Sequence, residues 1–132
     1  MSFLNKIFGS SDQEDKESNI EPKYNSLTNE DQLEEINTIS FEKPIVIFKH
    51  STRCSISRFV LKRFDEAYNF SDSEMHWYLL DLLNYREISN ELASRYAVMH
   101  QSPQILIIRN GKAIYNASHD AIDVTELKQF IG

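Results

Sequence analysis

Polar and apolar positions along this chain change period several times, and each change marks an element. Thr28-Asn-Glu-Asp31 has the form of a capping box, and Leu33, Ile36 and Asn37 follow at helical spacing, which predicts a first helix. Pro44 leads into Ile45-Val-Ile-Phe48, a short unbroken apolar run of the kind found in a strand covered on both faces. Ile56, Phe59, Val60, Phe64 and Ala67 recur at helical spacing and predict a helix to about Asn69. Trp77–Leu82 reads as a second strand, and Arg86 to Val98 as a helix through Ile88, Leu92 and Tyr96. Gln104–Arg109 and Lys112–Asn116 flank Asn110-Gly111, a strong hairpin signal. Asp123-Val-Thr-Glu126 is a second capping box and predicts a last helix ending near Gly132.

The order helix, strand, helix, strand, helix, strand, strand, helix predicts an α/β fold. Two strands joined by a helix pair in parallel through a right-handed crossover, and the hairpin adds an antiparallel pair. The compact solution is a four-stranded mixed sheet flanked by helices. In that topology the strand after Pro103 runs antiparallel to Ile45–Phe48, so its start lies beside the strand end that leads to Cys54. The far end of the next strand, at Ser118-His119, returns to the same side. Three segments distant in sequence therefore converge: His50 to Ser57, His100 to Gln104, and Ser118-His119.

The net charge of −6 is concentrated in the first forty residues, which hold nine acids and three bases, while the remainder is neutral. Residues 1–26 read as a flexible acidic N-terminal arm, with Phe3, Leu4, Ile7 and Phe8 able to form one face of a short helix at its start; residues 27–132 read as the folded domain. No apolar run reaches membrane-spanning length, and the first residues lack the features of a secretion signal, so a cytoplasmic monomer without membrane association is the expectation. The domain is not basic overall and has no basic–aromatic motif, which argues against nucleic acid as a partner.

Cys54 is the single cysteine, so no internal disulfide supports the fold. It stands where the buried strand turns into a helix. Unpaired N–H groups and the positive end of the helix dipole at such a place favour thiolate over thiol. Cys54 and Ser57 have the spacing of a Cys-x-x-Cys redox pair with serine in the second place. The plain alternatives are a small buried hydrophobe at Cys54 and a serine that only solvates the first turn, with Ser51 or Thr52 as the N-cap. Lys49, Arg53 and Arg58 can supply a local positive field, or can be a solvated face. Pro103 can be an ordinary strand-initiating proline, or a cis proline whose neighbouring backbone faces the thiol and pairs with an extended substrate. His50, His100 and His119 gather at one edge and can be surface residues or site residues. No ligand-spacing motif marks a metal site. With no second cysteine, a mixed disulfide on Cys54 must be resolved by an outside thiol.

Lys49-His-Ser-Thr-Arg-Cys-Ser-Ile-Ser57, Val98-Met-His-Gln-Ser-Pro-Gln104, Asn110-Gly-Lys112 and Ala117-Ser-His119 together resemble the YtxJ-type bacillithiol-system proteins, the monothiol bacilliredoxins, over about residues 28–132. The resemblance implies a thioredoxin-like fold and removal of bacillithiol from mixed disulfides on client proteins, with bacillithiol as co-substrate and no bound cofactor. It carries the redox role to Cys54 and the proline loop to Ser102-Pro103-Gln104. On the reading of the residues themselves, Ser57 helps to hold the thiolate, and Lys49, His50, Arg53 and His119 join Ser102, Pro103 and Gln104 as expected substrate contacts. Arg53 before the cysteine and Ser55 in place of a proline depart from the family pattern. Cys54-Ser-Ile-Ser57 is also similar to the Cys-Gly-Phe-Ser loop of monothiol glutaredoxins, which implies iron–sulfur cluster carriage as an alternative. A third reading is a thiol sensor without turnover.

Overall fold

The computed structural model of the chain describes residues 22–131. The elements are β1 (Asn25–Ser26), α1 (Asp31–Ile39), β2 (Ile45–His50), α2 (Ser55–Ala67), β3 (His76–Asp81), α3 (Arg86–Tyr96), β4 (Gln104–Arg109) and β5 (Lys112–Ser118), followed by two 3-10 segments, His119–Ala121 and Val124–Phe130. The sheet has the order β1-β3-β2-β4-β5. β2 pairs with β3 in parallel and with β4 antiparallel, and β4 pairs with β5 antiparallel.

All six residues of β2 are buried, as its unbroken apolar run predicts for a central strand. Val46 and Phe48 face α2 and the C-terminal segment, in a core with Phe64, Trp77, Ile105, Ile107 and Leu127. Ile45 and Ile47 face α1 and α3, with Leu33, Ile36, Tyr78, Leu92 and Leu106. Trp77 anchors the first core, its ring centroid 5.0 Å from that of Phe64 and 4.9 Å from that of Tyr68.

Four details depart from the sequence reading. The sheet has five strands among the described residues, because Asn25 and Ser26 pair with Tyr78 and Leu79 of β3. Residues 23–26, expected as the end of the arm, join the fold: Tyr24 packs edge-on against Trp77 at 5.2 Å and the Lys23 ammonium donates to the carbonyls of Asp65 and Tyr68. Residues 1–21, including the apolar positions Phe3 to Phe8, lie outside the described residues. The first capping box is one residue later than expected. Asn29 Oδ1 accepts from the Gln32 N–H, and Gln32 Oε1 accepts from the N–H groups of Thr28 and Asn29.

The last expected helix is a 3-10 segment. Asp123 Oδ1 accepts from both the N–H and the hydroxyl of Thr125. The buried positions Val124 and Leu127 lie three apart, which suits three residues per turn.

Candidate functional site

β2 delivers its last residues to one end of the sheet. Lys49 lies opposite Gln104 of β4, and Gln104 lies opposite Ser118 of β5. The three segments expected to converge therefore meet in one row. The Ser102–Pro103 bond is cis. The His119 N–H donates to the Pro103 carbonyl at 3.0 Å, which fastens the end of β5 to the proline loop. His119 itself is exposed, with φ of 57°.

Cys54 is partly exposed and free. It is the N-cap of α2, with extended backbone at φ −102° and ψ 122°, in place of the expected Ser51 or Thr52. Its side chain makes no capping hydrogen bond. The loop that carries it is closed by two contacts: the Cys54 N–H donates to the Ser51 carbonyl at 3.2 Å, and the Arg58 guanidinium donates to the Thr52 carbonyl at 3.0 Å. Ile56 and Phe59, on the first turns of α2, are largely exposed, as is Met99 on the proline loop. The thiol thus follows the buried end of β2 and opens a helix whose first turns expose apolar side chains.

Ser57 is fully buried one turn after Cys54. Its Oγ accepts from the Ser51 N–H at 3.0 Å and lies 2.7 Å from His50 Nδ1. Among the described residues its hydrogen bonds go to this pair, with none to the Cys54 sulfur. His50 is 7% exposed, so the structure corrects the expectation that it contacts substrate directly. Desolvation lowers the His50 pKa, with Asp81 opposing and Arg58 reinforcing the shift.

Two other expected substrate contacts also point inward. Lys49 is 1% exposed, and burial pushes its pKa down to about 8. It shares a strand face with Ile45 and Ile47, the face that α1 and α3 cover. The amide of Gln104 spans the proline loop, accepting from the Gln101 N–H at 3.1 Å and donating to the Met99 carbonyl at 3.0 Å. Gln104 shapes the loop from beneath, because it shares parity with the buried Leu106 and Ile108. The period-two parity of both strands carried this signal, but it is masked where a run is apolar on both faces.

Arg53 is exposed, and with Thr52, Leu83 and Asn84 it lines a polar cleft beside the cysteine loop. Asp81 braces the far wall of that cleft by accepting from Asn84 at 2.7 Å and from the Leu83 N–H at 3.2 Å. These residues have no motif in the sequence; the β3–α3 turn brings them there. Ser89 is likewise unforeseen, buried on α3 with its hydroxyl 3.4 Å from His100 Nδ1. Desolvation lowers the His100 pKa, and Lys49 and Arg86 add to the effect. Among the described residues no group of three or more His, Cys, Asp and Glu side chains is arranged to hold a metal ion, and no helix is long and apolar enough to cross a membrane.

Comparison with known proteins matches residues 25–127 to a family described as monothiol bacilliredoxin BrxC. A solved thioredoxin-fold structure, described as that of a candidate oxidoreductase, is 30% identical, covers 81% of this chain and 92% of its own, and superposes with a TM-score of 0.68. Thioredoxin from Malassezia sympodialis is 16% identical over 83% of this chain and 88% of its own, with a TM-score of 0.64. Thioredoxin NaTrxh from Nicotiana alata is 13% identical over 86% and 97%, with a TM-score of 0.67. The two thioredoxins share the fold with this chain.

Proposed function

The chain belongs to the monothiol bacilliredoxin family, thiol–disulfide oxidoreductases of thioredoxin fold, and from that premise we propose that it removes bacillithiol from mixed disulfides on client proteins. The observation that carries this reading is the single cysteine, partly exposed at the head of α2, where three segments of the sheet's end meet.

In the proposed reaction the Cys54 thiolate attacks the bacillithiol sulfur of a protein–bacillithiol disulfide. The bond between that sulfur and the client's sulfur breaks. The client leaves with the electron pair and takes a proton from water, and bacillithiol stays on Cys54 as a new disulfide. A second thiol then attacks the bacillithiol sulfur, and Cys54 leaves as thiolate. The chain has no other cysteine, so that thiol comes from another molecule.

Arg53, exposed on the cysteine loop, is the cation best placed to meet the carboxylates of bacillithiol, and His119 borders the opposite side. The backbone at Ser102-Pro103 would pair with the client's extended chain, with Met99, Ile56 and Phe59 providing apolar contact. Lys49 and Gln104 support this surface from inside. The scheme needs only a monomer in a reducing compartment.

The test uses a purified protein carrying bacillithiol on one cysteine, with release followed by mass spectrometry. Wild type removes the adduct, and Cys54→Ala does not; turnover retained by Cys54→Ala ends the proposal. Bacillithiol is expected to be released faster than glutathione from the same client cysteine, and equal rates would reduce the reading to general thiol exchange.

A further inference from the structure

The pair formed by Ser57 and His50 has no part in the scheme above, yet it is buried and built. Ser57 is the third residue of α2 counted from its N-cap, Cys54, and residues three apart share one side of a helical turn. The Ser57 oxygen already accepts the Ser51 N–H at 3.0 Å. One hydroxyl proton and one lone pair remain to be shared with His50 Nδ1, 2.7 Å away.

A neutral imidazole can meet that oxygen in two ways. With its hydrogen on Nδ1, His50 donates to Ser57 Oγ, and the serine proton is free to point elsewhere. With its hydrogen on Nε2, His50 accepts the serine proton and Ser57 has nothing left to donate. Burial favours the neutral ring, Asp81 of β3 and Arg58 of α2 being the charges that act on it. The rest of the ring borders a cavity of ≈370 Å³ lined also by Tyr24, Leu61, Lys62 and Asp65.

We propose that His50 is a positioning residue for the thiol chemistry: through its 2.7 Å contact with Ser57 it decides whether the serine proton is available to the Cys54 sulfur. A thiolate is a strong acceptor and draws the serine proton, leaving the hydrogen of His50 on Nδ1. A disulfide sulfur is a poor acceptor, so after the exchange the serine proton turns back to Nδ1 and His50 carries its hydrogen on Nε2. The pair thus stabilises Cys54 when it is the leaving thiolate and withdraws when it is capped. The inference rests on Cys54 being the reacting sulfur, but it holds for any disulfide partner.

The test is nitrogen NMR of the His50 ring in the full chain, with Cys54 free or capped by methyl methanethiosulfonate. That reagent leaves a sulfur–methylthio group on the cysteine and releases methanesulfinate. At about pH 10, above the ordinary thiol pKa, the free protein should show Nδ1 protonated, and capping should move the hydrogen to Nε2. Ser57→Ala should abolish the move, and Cys54→Ala should hold His50 in the capped pattern without any cap. A tautomer that stays the same on capping overturns the proposal, as does a change that persists in Ser57→Ala. Because the probe contains no bacillithiol, these outcomes do not depend on which thiol the protein serves.

Discussion

Lys49 shows how strongly one position can depart from its sequence neighbours. A lysine beside a redox cysteine reads as a surface cation, but here it is 1% exposed and its pKa falls from 10.5 to about 8 through desolvation. Between those values the unfolded chain holds the proton and the folded chain does not, so this residue makes stability rise with pH across that window. Below about pH 8 both states are protonated and the full cost of a buried ammonium remains. Lys49→Met should therefore stabilise the protein at pH 7 by about 1–2 kcal/mol, allowing for water at the tip of the chain, and the gain should shrink toward pH 10.5. Denaturant midpoints of both proteins, measured across that range, give the difference directly. Subtracting one from the other removes the opposing effect of Tyr68 and Tyr78, whose pKa values burial raises and which lower stability above about pH 10. A difference that stays flat with pH would mean that Lys49 does not titrate as the buried geometry requires.

Among the elements, the β4–β5 hairpin joins local instruction to tertiary support. Asn110 and Gly111 adopt φ of 54° and 76°, the left-handed pair that the Asn-Gly dipeptide predicts. The turn is also docked. The Gly111 N–H donates to Ser40 Oγ at 2.9 Å, and the Asn110 N–H donates to the Ser40 carbonyl at 2.8 Å. Ser40, fully buried, ends α1 and donates in turn to the Asn37 carbonyl at 2.6 Å. Ser40→Ala leaves the Gly111 N–H without its partner and should cost about 1–3 kcal/mol in thermal or chemical unfolding. Gly111→Ala should cost about 1–2 kcal/mol from the left-handed backbone alone, and its Cβ would stand 3.2 Å from Asn37 Oδ1. A cost near zero for both would show that the hairpin holds its shape without α1.

At the scale of the whole molecule, the site exists because strand register joins three segments. Gln104 is the link: its backbone lies between Lys49 and Ser118 in the sheet, while its amide holds the proline loop at Gln101 and Met99. Gln104→Leu keeps the strand and removes the clamp. The Gln101 amide should then exchange with solvent faster, and thiol exchange at Cys54 should slow by about tenfold, the effect of one lost hydrogen bond at a site where orientation matters. Unchanged exchange at Gln101 would place the loop's support elsewhere.

Much of this architecture was legible in the chain. Ile45–Phe48 announced a central strand, Asn110-Gly111 a turn, and the spacing from Ile56 to Ala67 a helix, because each depends on local sterics and on a periodic apolar face. The same reasoning put Cys54 at a helix start and brought the proline loop and the end of β5 to the same end of the sheet as the end of β2, since connection rules leave few ways to lay such strands together. The two-residue strand at Asn25 and the 3-10 form of the last segment were not legible, as one depends on the edge that β3 leaves open and the other on how Asp123 divides its hydrogen bonds.

The amino-acid order by itself determined the central strands, the three main helices and the presence of a single thiol at a helix start. Only the folded chain decided which polar neighbours reach that sulfur's surroundings and which are turned into the core. Lys49, His50 and Gln104 all look alike as residues near a cysteine. The alternation of a strand and the packing of two helix layers sent them to opposite faces, and no local rule states which face is covered.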